Sequence, residues 1–235
     1  MNTMSYITVS EPINKIFRLV LTKKCNNQCF YCHKEGMTEY TPELLTIDNY
    51  EFIIKTTSDL FDGFALVGGE PILFNDLLHI AYLINHYKGR PSHLTTNATV
   101  SLKEVKEHIH LFERINLSVN TLNPETYKTI TGSEFSIDML RYNASLLKDS
   151  DVEIKINTVL LYPYNTSEDE IIAVIEFASE FDFIPEFLYY LSLKPEDKEK
   201  VAISLRQFRQ LMEKLGYNET YSPRLYNHTK NSLSS

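Results

Sequence analysis

The three cysteines of this chain fall within eight positions, as Cys25, Cys29 and Cys32 in the run CNNQCFYC. An odd and tightly clustered set of thiols does not form a disulfide framework, and such clusters usually serve metal or redox chemistry. Cysteine thiolates are the usual ligands of iron–sulfur clusters. Three of them leave one iron of a [4Fe–4S] cube without a protein ligand, and an open iron can bind a small molecule. The spacing therefore indicates catalytic chemistry at a [4Fe–4S] cluster.

Two other interpretations of the cysteines stay open at this stage. A structural zinc site needs four ligands, and His33, the nearest candidate for a fourth, adjoins Cys32 and reaches the same metal only with difficulty. Incidental or redox thiols are the second alternative, although three unrelated buried thiols would rarely cluster within eight positions. A zinc-binding interaction domain is therefore the alternative that lies outside the enzymes.

A second polar motif, Gly68-Gly69-Glu70-Pro71, follows a short apolar run over residues 63–67. Glycines let the backbone approach a ligand closely, and a carboxylate accepts hydrogen bonds from an ammonium group. The same four residues are also typical of an ordinary turn. On its own, the motif leaves both interpretations open.

Short β-rich runs alternate with amphipathic runs along the whole chain. The predicted strands cover residues 16–22, 63–67, 93–96, 114–119, 153–160 and 184–191. The predicted helices cover residues 48–60, 76–87, 102–111, one or two segments within 123–147, then 168–180 and 202–215. Strands that alternate with helices predict parallel pairing through right-handed crossovers.

Six such units predict an α/β fold, a partial (β/α)6 TIM-like barrel of parallel strands with a short C-terminal helical extension. We assign residues 1–195 to the barrel, with a lead-in over 1–14, and residues 196–235 to a C-terminal helix and a polar tail. Active sites of such folds lie at the carboxyl ends of the strands. Both polar motifs follow a predicted strand and so belong to that end.

Composition narrows the class of protein further. The chain has 235 residues, 43% of them hydrophobic, and a formal charge of −8. That size and composition fit a single globular domain with a real core. The acidic balance gives no reason to expect a nucleic-acid partner. The N-terminus lacks the pattern of a signal peptide, and no apolar run approaches the ~20 residues of a membrane span. We therefore expect a cytoplasmic protein without a membrane partner.

The CxxxCxxC motif after the first strand and Gly-Gly-Glu-Pro after the second together resemble the radical S-adenosylmethionine (SAM) superfamily. The resemblance implies an enzyme whose cofactors are a [4Fe–4S] cluster and SAM. It implies that the open iron binds the amino and carboxylate groups of SAM. It also implies that the reduced cluster splits the sulfonium, and that the resulting 5′-deoxyadenosyl radical abstracts hydrogen from an organic substrate.

The resemblance also assigns residues to SAM. Tyr31 matches the residue that contacts adenine, with loop packing as the alternative, and the Gly-Gly-Glu segment matches the one that receives the methionyl amino group. Ser118 matches the serine near the ribose or carboxylate. The residues expected to hold SAM are Tyr31, Gly68, Gly69, Glu70, Asn97 and Ser118.

Four further stretches are similar to the GTP 3′,8-cyclase branch, which serves molybdenum-cofactor biosynthesis. They are RLVLTKKCNNQCFYCHKEG from Arg18, Thr95-Thr96-Asn97, the run over residues 115–132, and KINTV from Lys155. Arg18, Thr95 and Lys155 match positions of that branch that contact the nucleotide triphosphate. For Arg18 and Lys155 the alternative to a substrate contact is pairing with another charge or exposure to solvent, because an isolated charge in a strand is costly. Packing is the alternative for Thr95.

The sequence also departs from that branch. The branch carries three further cysteines for a second cluster, whereas this chain has none after Cys32, and Asn120 stands where the branch usually has Asp. We therefore expect one cluster, with its electron supplied by an external donor of the flavodoxin or ferredoxin type. The substrate stays open: a nucleotide or other anionic metabolite, a peptide or natural product, or a partner protein activated as a glycyl radical.

Overall fold

The computed structural model describes residues 15–33, 45–190, 204–215, 217–221 and 226–230. The strands are β1 (Ile16–Val20), β2 (Gly63–Val67), β3 (Ser92–Thr96), β4 (Phe112–Ser118), β5 (Glu153–Leu160), β6 (Ile184–Tyr189), β7 (Tyr217–Tyr221) and β8 (Tyr226–Lys230). The helices are α1 (Ile47–Thr57), α2 (Leu77–Lys88), α3 (Lys103–Glu107), α4 (Pro124–Thr131), α5 (Ile137–Leu147), α6 (Glu168–Glu180) and α7 (Leu205–Lys214). Two 3₁₀ turns cover Pro71–Leu73 and Ile109–Leu111.

The six strands β1 to β6 are parallel, and each pairs with the next one along the chain. At least one helix connects each pair, which is the singly wound order of a (β/α) barrel. The predicted α/β partial barrel is thereby confirmed. The segment 123–147 forms two helices, and the predicted helix over 102–111 divides into α3 and a 3₁₀ turn.

The core lies between the sheet and its helices. All five residues of β2 are buried, as expected of a parallel strand covered on both faces. Fully buried side chains of α1 and α2, Ile54 and Ile80, pack in the same cluster as Phe64 and Leu66 of β2. Side chains that alternate with these along the strands face the interior of the barrel.

Polar caps set the helix starts next to this core. Thr46 forms a capping box at α1, and Ser167 caps α6 by accepting from the Glu170 N–H. Asn123 accepts from two backbone N–H groups at the start of α4, where Pro124 occupies the first turn. These N-caps fix the residue at which each helix begins, and so fix where the preceding loop ends.

The C-terminal part of the chain adds strands that the sequence analysis did not predict. Helix α7 packs Phe208 against Phe187 of β6, with ring centroids 5.9 Å apart. After it, β7 and β8 form an antiparallel pair, and β8 pairs with β6 at Phe187↔Tyr226. The sequence analysis assigned residues 217–221 and 226–230 to a polar tail and predicted no strands for them.

Several predictions fall outside the described residues. They are the lead-in over 1–14, the proposed domain boundary at residue 195, the first two residues of the predicted last helix and the end of the tail. Within the described residues, no helix is both long enough and apolar enough to cross a membrane.

Candidate active site

A cavity of about 440 Å³ lies at the carboxyl ends of the parallel strands. The predicted residues that line it are Arg18, Cys25, Cys29, Tyr31, Cys32, Gly68, Gly69, Glu70, Thr95, Asn97 and Ser118. The remaining lining residues are Asn27, His33, Val67, Thr96, Val159, Leu188 and Tyr190. The structure thus brings together every predicted site residue except Lys155.

The cysteine loop is fastened to the end of helix α4. The backbone N–H groups of Gln28 and Phe30 donate to the carbonyls of Thr131 and Ile130, at 2.7 and 3.2 Å. Nearby, the Asn27 Nδ2 donates to the Tyr127 hydroxyl at 2.9 Å. These contacts connect segments about 100 residues apart in sequence, so no local pattern could have predicted them. They hold the loop that carries the three thiols.

The three thiols influence one another electrostatically. Burial, followed by the charges of Cys32 and Cys25, raises the pKa of Cys29 to about 11. Burial is also the largest cause of the raised pKa of Cys25, to which Glu70 and Cys32 contribute. The thiols are therefore close neighbours in one partly desolvated environment, where a cationic or electron-poor group would stabilise their thiolate forms.

This donor set fits an iron–sulfur cube better than a single zinc ion. Within the described ranges, no three His, Cys, Asp or Glu side chains are grouped to hold one metal ion. In a cube each thiolate binds a different iron, so three thiols around one cavity suffice. The residues that would hold a [4Fe–4S] cluster are Cys25, Cys29 and Cys32.

The Gly68-Gly69 pair packs against the backbone that leads into the cysteine loop. The Gly69 N–H donates to the Thr22 carbonyl at 2.7 Å, and the Glu70 N–H donates to the Lys24 carbonyl at 2.8 Å. A Cβ on Gly69 would lie 2.2 Å from the Lys24 oxygen. At Gly68 it would lie 2.5 Å from the Thr22 oxygen, and the φ of +147° is itself one that side chains disfavour. The glycines are thus needed for backbone packing as well as for lining the cavity.

The Glu70 carboxylate is nearly fully buried, with 1% of the residue exposed. It accepts from the Thr96 hydroxyl at 2.7 Å, from the Asn97 N–H at 2.7 Å and from the Ile72 N–H at 3.1 Å. Burial raises the pKa of Glu70, and the three hydrogen bonds oppose that effect. Because a carboxylate offers about four acceptor positions, roughly one is left for a ligand. Glu70 therefore organises the end of β3 in addition to facing the cavity.

Asn97 connects the end of β3 to the cysteine loop. Its Nδ2 donates to the Asn26 Oδ1 at 2.8 Å, and its Oδ1 accepts from the Thr99 hydroxyl at 2.6 Å. The Asn26 Nδ2 in turn donates to the Thr99 hydroxyl oxygen at 2.7 Å. The sequence analysis missed Asn26, whose position directly after Cys25 was the available signal.

Asn120 connects the cysteine loop to strands β4 and β5. Its Nδ2 donates to the Tyr31 hydroxyl at 2.6 Å, and its Oδ1 accepts from the Val159 N–H at 2.9 Å. The Asn165 Nδ2 donates to the Asn120 carbonyl at 2.8 Å. Burial raises the pKa of Tyr31, whose ring meets the Tyr190 ring edge-on at 6.3 Å. In the sequence Asn120 stands out only as a departure from a family pattern, because its contacts join segments that are distant along the chain.

The predicted substrate residues lie in different environments. Arg18 lines the cavity from β1, and Thr95 lines it from β3, where its hydroxyl accepts from the Asn116 Nδ2 at 3.2 Å. Lys155 does not line the cavity. Its side chain is 8% exposed, and its Nζ lies 3.0 Å from Glu186 Oε1. The expectation that Lys155 contacts an anionic group of the substrate is therefore corrected: the buried cation is paired within the protein, since an isolated one is costly.

Sequence comparison identifies a superfamily and a set of relatives. A sequence model described as the radical SAM superfamily matches residues 19–178. A probable GTP 3′,8-cyclase of Methanothermobacter thermautotrophicus is 36% identical over 161 residues, covering 64% of this chain and 50% of that protein. A probable GTP 3′,8-cyclase of Pyrococcus abyssi is 31% identical over 219 residues, covering 84% of this chain and 69% of that protein. The chain thus spans half the length of the Methanothermobacter relative.

Solved structures share the fold. Streptococcus suis SuiB bound to S-adenosylmethionine superposes with a TM-score of 0.70 at 19% identity, covering 86% of this chain and 47% of that one. The protein anSMEcpe with bound AdoMet gives a TM-score of 0.60 at 19% identity, covering 85% of this chain and 58% of that one. At these identities the likeness concerns the architecture.

Proposed function

The chain belongs to the radical SAM superfamily, enzymes whose cofactors are a [4Fe–4S] cluster and SAM, and we propose that the cavity described above is its SAM-cleaving site. A reduced [4Fe–4S] cluster held by Cys25, Cys29 and Cys32 would supply the one electron needed to cleave SAM to methionine and a 5′-deoxyadenosyl radical, and that radical would take a hydrogen atom from an organic substrate. The protein supplies positioning and the exclusion of water.

The observation that carries this proposal is that two motifs 36 or more residues apart in sequence meet at one cavity. The backbone bonds from Gly69 and Glu70 to residues 22 and 24 fix the second motif beside the loop of the first. One part of the cavity then offers three soft sulfur donors, and the adjoining part offers a buried carboxylate. These are the groups that a cluster and an ammonium-bearing ligand require.

We assign the residues as follows. Cys25, Cys29 and Cys32 bind the cluster, and Glu70, with one acceptor position left, receives the SAM ammonium. Tyr31 is held by Asn120 and so presents a fixed aromatic face. The residues that hold SAM are Tyr31, Gly68, Gly69, Glu70, Asn97 and Ser118.

Arg18 and Thr95 are the candidates for substrate contacts, because they line the same cavity from β1 and β3. The substrate is a small organic molecule, and the named activity of the curated relatives makes a nucleotide the first compound to test. All three cysteines of the sequence belong to one motif, so we expect the electron to come from a separate one-electron donor of the flavodoxin or ferredoxin type.

Anaerobic reconstitution tests the proposal. The chain should take up about four iron and four sulfide per molecule, and after reduction with dithionite it should convert SAM to 5′-deoxyadenosine and methionine. Cys29→Ser should lose most of the iron and all of the cleavage, because the cube loses one of its three ligands. Ser145→Ala, on an exposed position of α5, serves as the control and should behave as the parent chain does.

Two results would contradict the proposal. One is stoichiometric zinc in a protein that takes up no iron and sulfide. The other is a cluster-loaded, reduced protein that binds SAM and still forms no 5′-deoxyadenosine.

A further inference from the structure

Asn120, next to the cavity, is held in one orientation by its neighbours. The residue is buried, with 4% of it exposed. Its Oδ1 accepts from the Val159 N–H at 2.9 Å, and its Nδ2 lies 2.6 Å from the Tyr31 hydroxyl. A backbone N–H can only donate, so the amide oxygen must face Val159 and the amide nitrogen must face Tyr31. The Asn165 Nδ2 donates to the Asn120 carbonyl at 2.8 Å and holds the backbone at the same point.

The orientation of the amide decides the direction of the hydrogen bond between Asn120 and Tyr31. An amide NH₂ group offers hydrogens and no acceptor position, whereas a tyrosine hydroxyl can both donate and accept. Asn120 is therefore the donor and Tyr31 the acceptor of this bond. The hydrogen of the Tyr31 hydroxyl points away from Asn120 and is left for a different acceptor.

The Cys29 sulfur is the acceptor for that hydrogen. Tyr31 and Cys29 are two positions apart on one loop, and both line the cavity. Burial is the largest cause of the raised pKa of each group. A hydrogen bond between the two side chains lowers the pKa of Cys29 and raises that of Tyr31. These are the directions expected when a hydroxyl donates to sulfur, because the bond favours the thiolate and retains the tyrosine proton.

A hydrogen bond at this sulfur bears on the electron that the site must accept. Hydrogen bonds to the sulfurs of an iron–sulfur cluster help to set its reduction potential, because the added electron makes those sulfurs better acceptors. The surroundings of Cys29 otherwise disfavour negative charge, since the sulfur is partly desolvated and lies near the thiols of Cys32 and Cys25. In such a low-dielectric place a fixed donor has a stronger effect than it would have in water.

We propose that Asn120 is a positioning residue for the cluster site. By donating to the Tyr31 hydroxyl, Asn120 directs the hydroxyl hydrogen to the Cys29 sulfur, and the resulting bond raises the reduction potential of the cluster. Asn120 acts through Tyr31, since its own amide is bonded to Tyr31 and Val159. This inference rests on the proposed function, because it assumes a [4Fe–4S] cluster on the three cysteines.

Redox titration of the cluster-loaded chain, without SAM, tests the inference. Dithionite supplies one electron per cluster through mediators, and electron paramagnetic resonance measures the reduced fraction at each potential. Tyr31→Phe removes the donor and keeps the ring, so the ratio of reduced to oxidised cluster at a fixed potential should fall about three- to tenfold. For a one-electron couple this corresponds to a reduction potential lower by about 30–60 mV.

Asn120→Asp tests the part played by Asn120 itself. The carboxylate has the shape of the amide and offers acceptors only, so one oxygen would take the Tyr31 hydrogen away from Cys29. The potential should fall further than in Tyr31→Phe, because a negative charge is also added. In the double variant with Tyr31→Phe only that charge acts, so Asn120→Asp should have a smaller effect there. The control is Tyr127→Phe, which removes a hydroxyl that accepts from Asn27 of the same loop and should leave the potential unchanged.

The inference is overturned if Tyr31→Phe titrates at the potential of the parent chain. It is equally overturned if Asn120→Asp lowers the potential by the same amount with and without the Tyr31 hydroxyl. Should Asn120→Asp take up too little iron to titrate, the result for Tyr31→Phe decides. Formation of 5′-deoxyadenosine by the parent chain reports on the proposed function separately. Its absence from a cluster-loaded chain would remove the catalytic proposal and leave the potentials to decide the role of Asn120.

Discussion

At the scale of single residues, the sequence predicts which residues belong to the site but does not predict which residues they contact. The three cysteines, two glycines and one glutamate that the sequence singles out all line one cavity in the structure. The resemblance assigns Lys155 to the substrate because it matches a position that contacts the nucleotide triphosphate in the GTP 3′,8-cyclase branch. Its partner Glu186 lies 31 residues further along the chain, on the next strand. Only the register of β5 and β6 brings the two together, and one sequence does not reveal it.

Gly69 provides a test at this scale. Gly69→Ala would place a Cβ 2.2 Å from the Lys24 carbonyl oxygen and disturb two backbone hydrogen bonds. We expect the free energy of unfolding to fall by about 3 kcal/mol, from overpacking and weakened bonds, and cluster uptake to fall with it. Urea denaturation and iron content measure the two effects.

Gly89 is the matched control for this substitution. It has a φ of +67°, and a Cβ added there would meet nothing within 4 Å, so Gly89→Ala should cost about 1 kcal/mol from the backbone conformation alone. Its cluster uptake should be normal. Equal losses in the two variants would mean that the contact with Lys24 does not matter.

At the scale of elements, the alternation of strands and helices was enough to predict β1 to β6 and most of the helices. Each of these segments has a local signal, such as apolar periodicity or a capping residue. The docking of the cysteine loop on α4 has no such signal, because it depends on carbonyls at residues 130 and 131. These carbonyls lie in the last turn of α4 and so have no hydrogen-bond partner within the helix. Nothing in the sequence distinguishes their residues from others at helix ends.

Tyr127→Phe tests this docking. The variant keeps the ring stacked on Phe135, at a centroid distance of 4.5 Å, and removes only the hydroxyl that accepts from Asn27. We expect unfolding to become easier by about 0.5–1.5 kcal/mol. Amide hydrogen exchange at Gln28 and Phe30 should become faster. The control is Tyr142→Phe, at a residue that is 43% exposed, which should change neither stability nor amide exchange. If Tyr127→Phe leaves the exchange at Gln28 and Phe30 unaltered, the backbone bonds alone hold the loop.

At the scale of the whole molecule, the parallel sheet followed from the order of the elements, whereas its antiparallel extension did not. The segment after α7 is polar, so its composition suggested a tail. Pairing of β8 with β6 uses backbone groups at an open sheet edge, and such pairing demands little of the side chains. Helix α7, with Phe208 and Met212 each 1% exposed, contributes apolar surface to the core.

Two truncated chains separate these contributions. A chain that ends at Leu215 removes β7 and β8 and keeps α7, and it should unfold cooperatively with reduced stability. A chain that ends at Tyr190 also exposes the surface covered by Phe208 and Met212, which should cost a further loss of about 3–6 kcal/mol. Urea unfolding followed by circular dichroism compares them. Equal stability would mean that α7 adds nothing to the core.

The two backbone bonds between residues 22–24 and the Gly-Gly-Glu segment also bear on how chain length can vary in this enzyme. They set the distance between the cysteine loop and the carboxylate, whatever lies between them in sequence. Closing a longer connection costs little, since the entropy grows only with the logarithm of its length. Insertions and deletions between Cys32 and the start of α1 are therefore expected among natural homologues, whereas the spacing within each motif should stay constant.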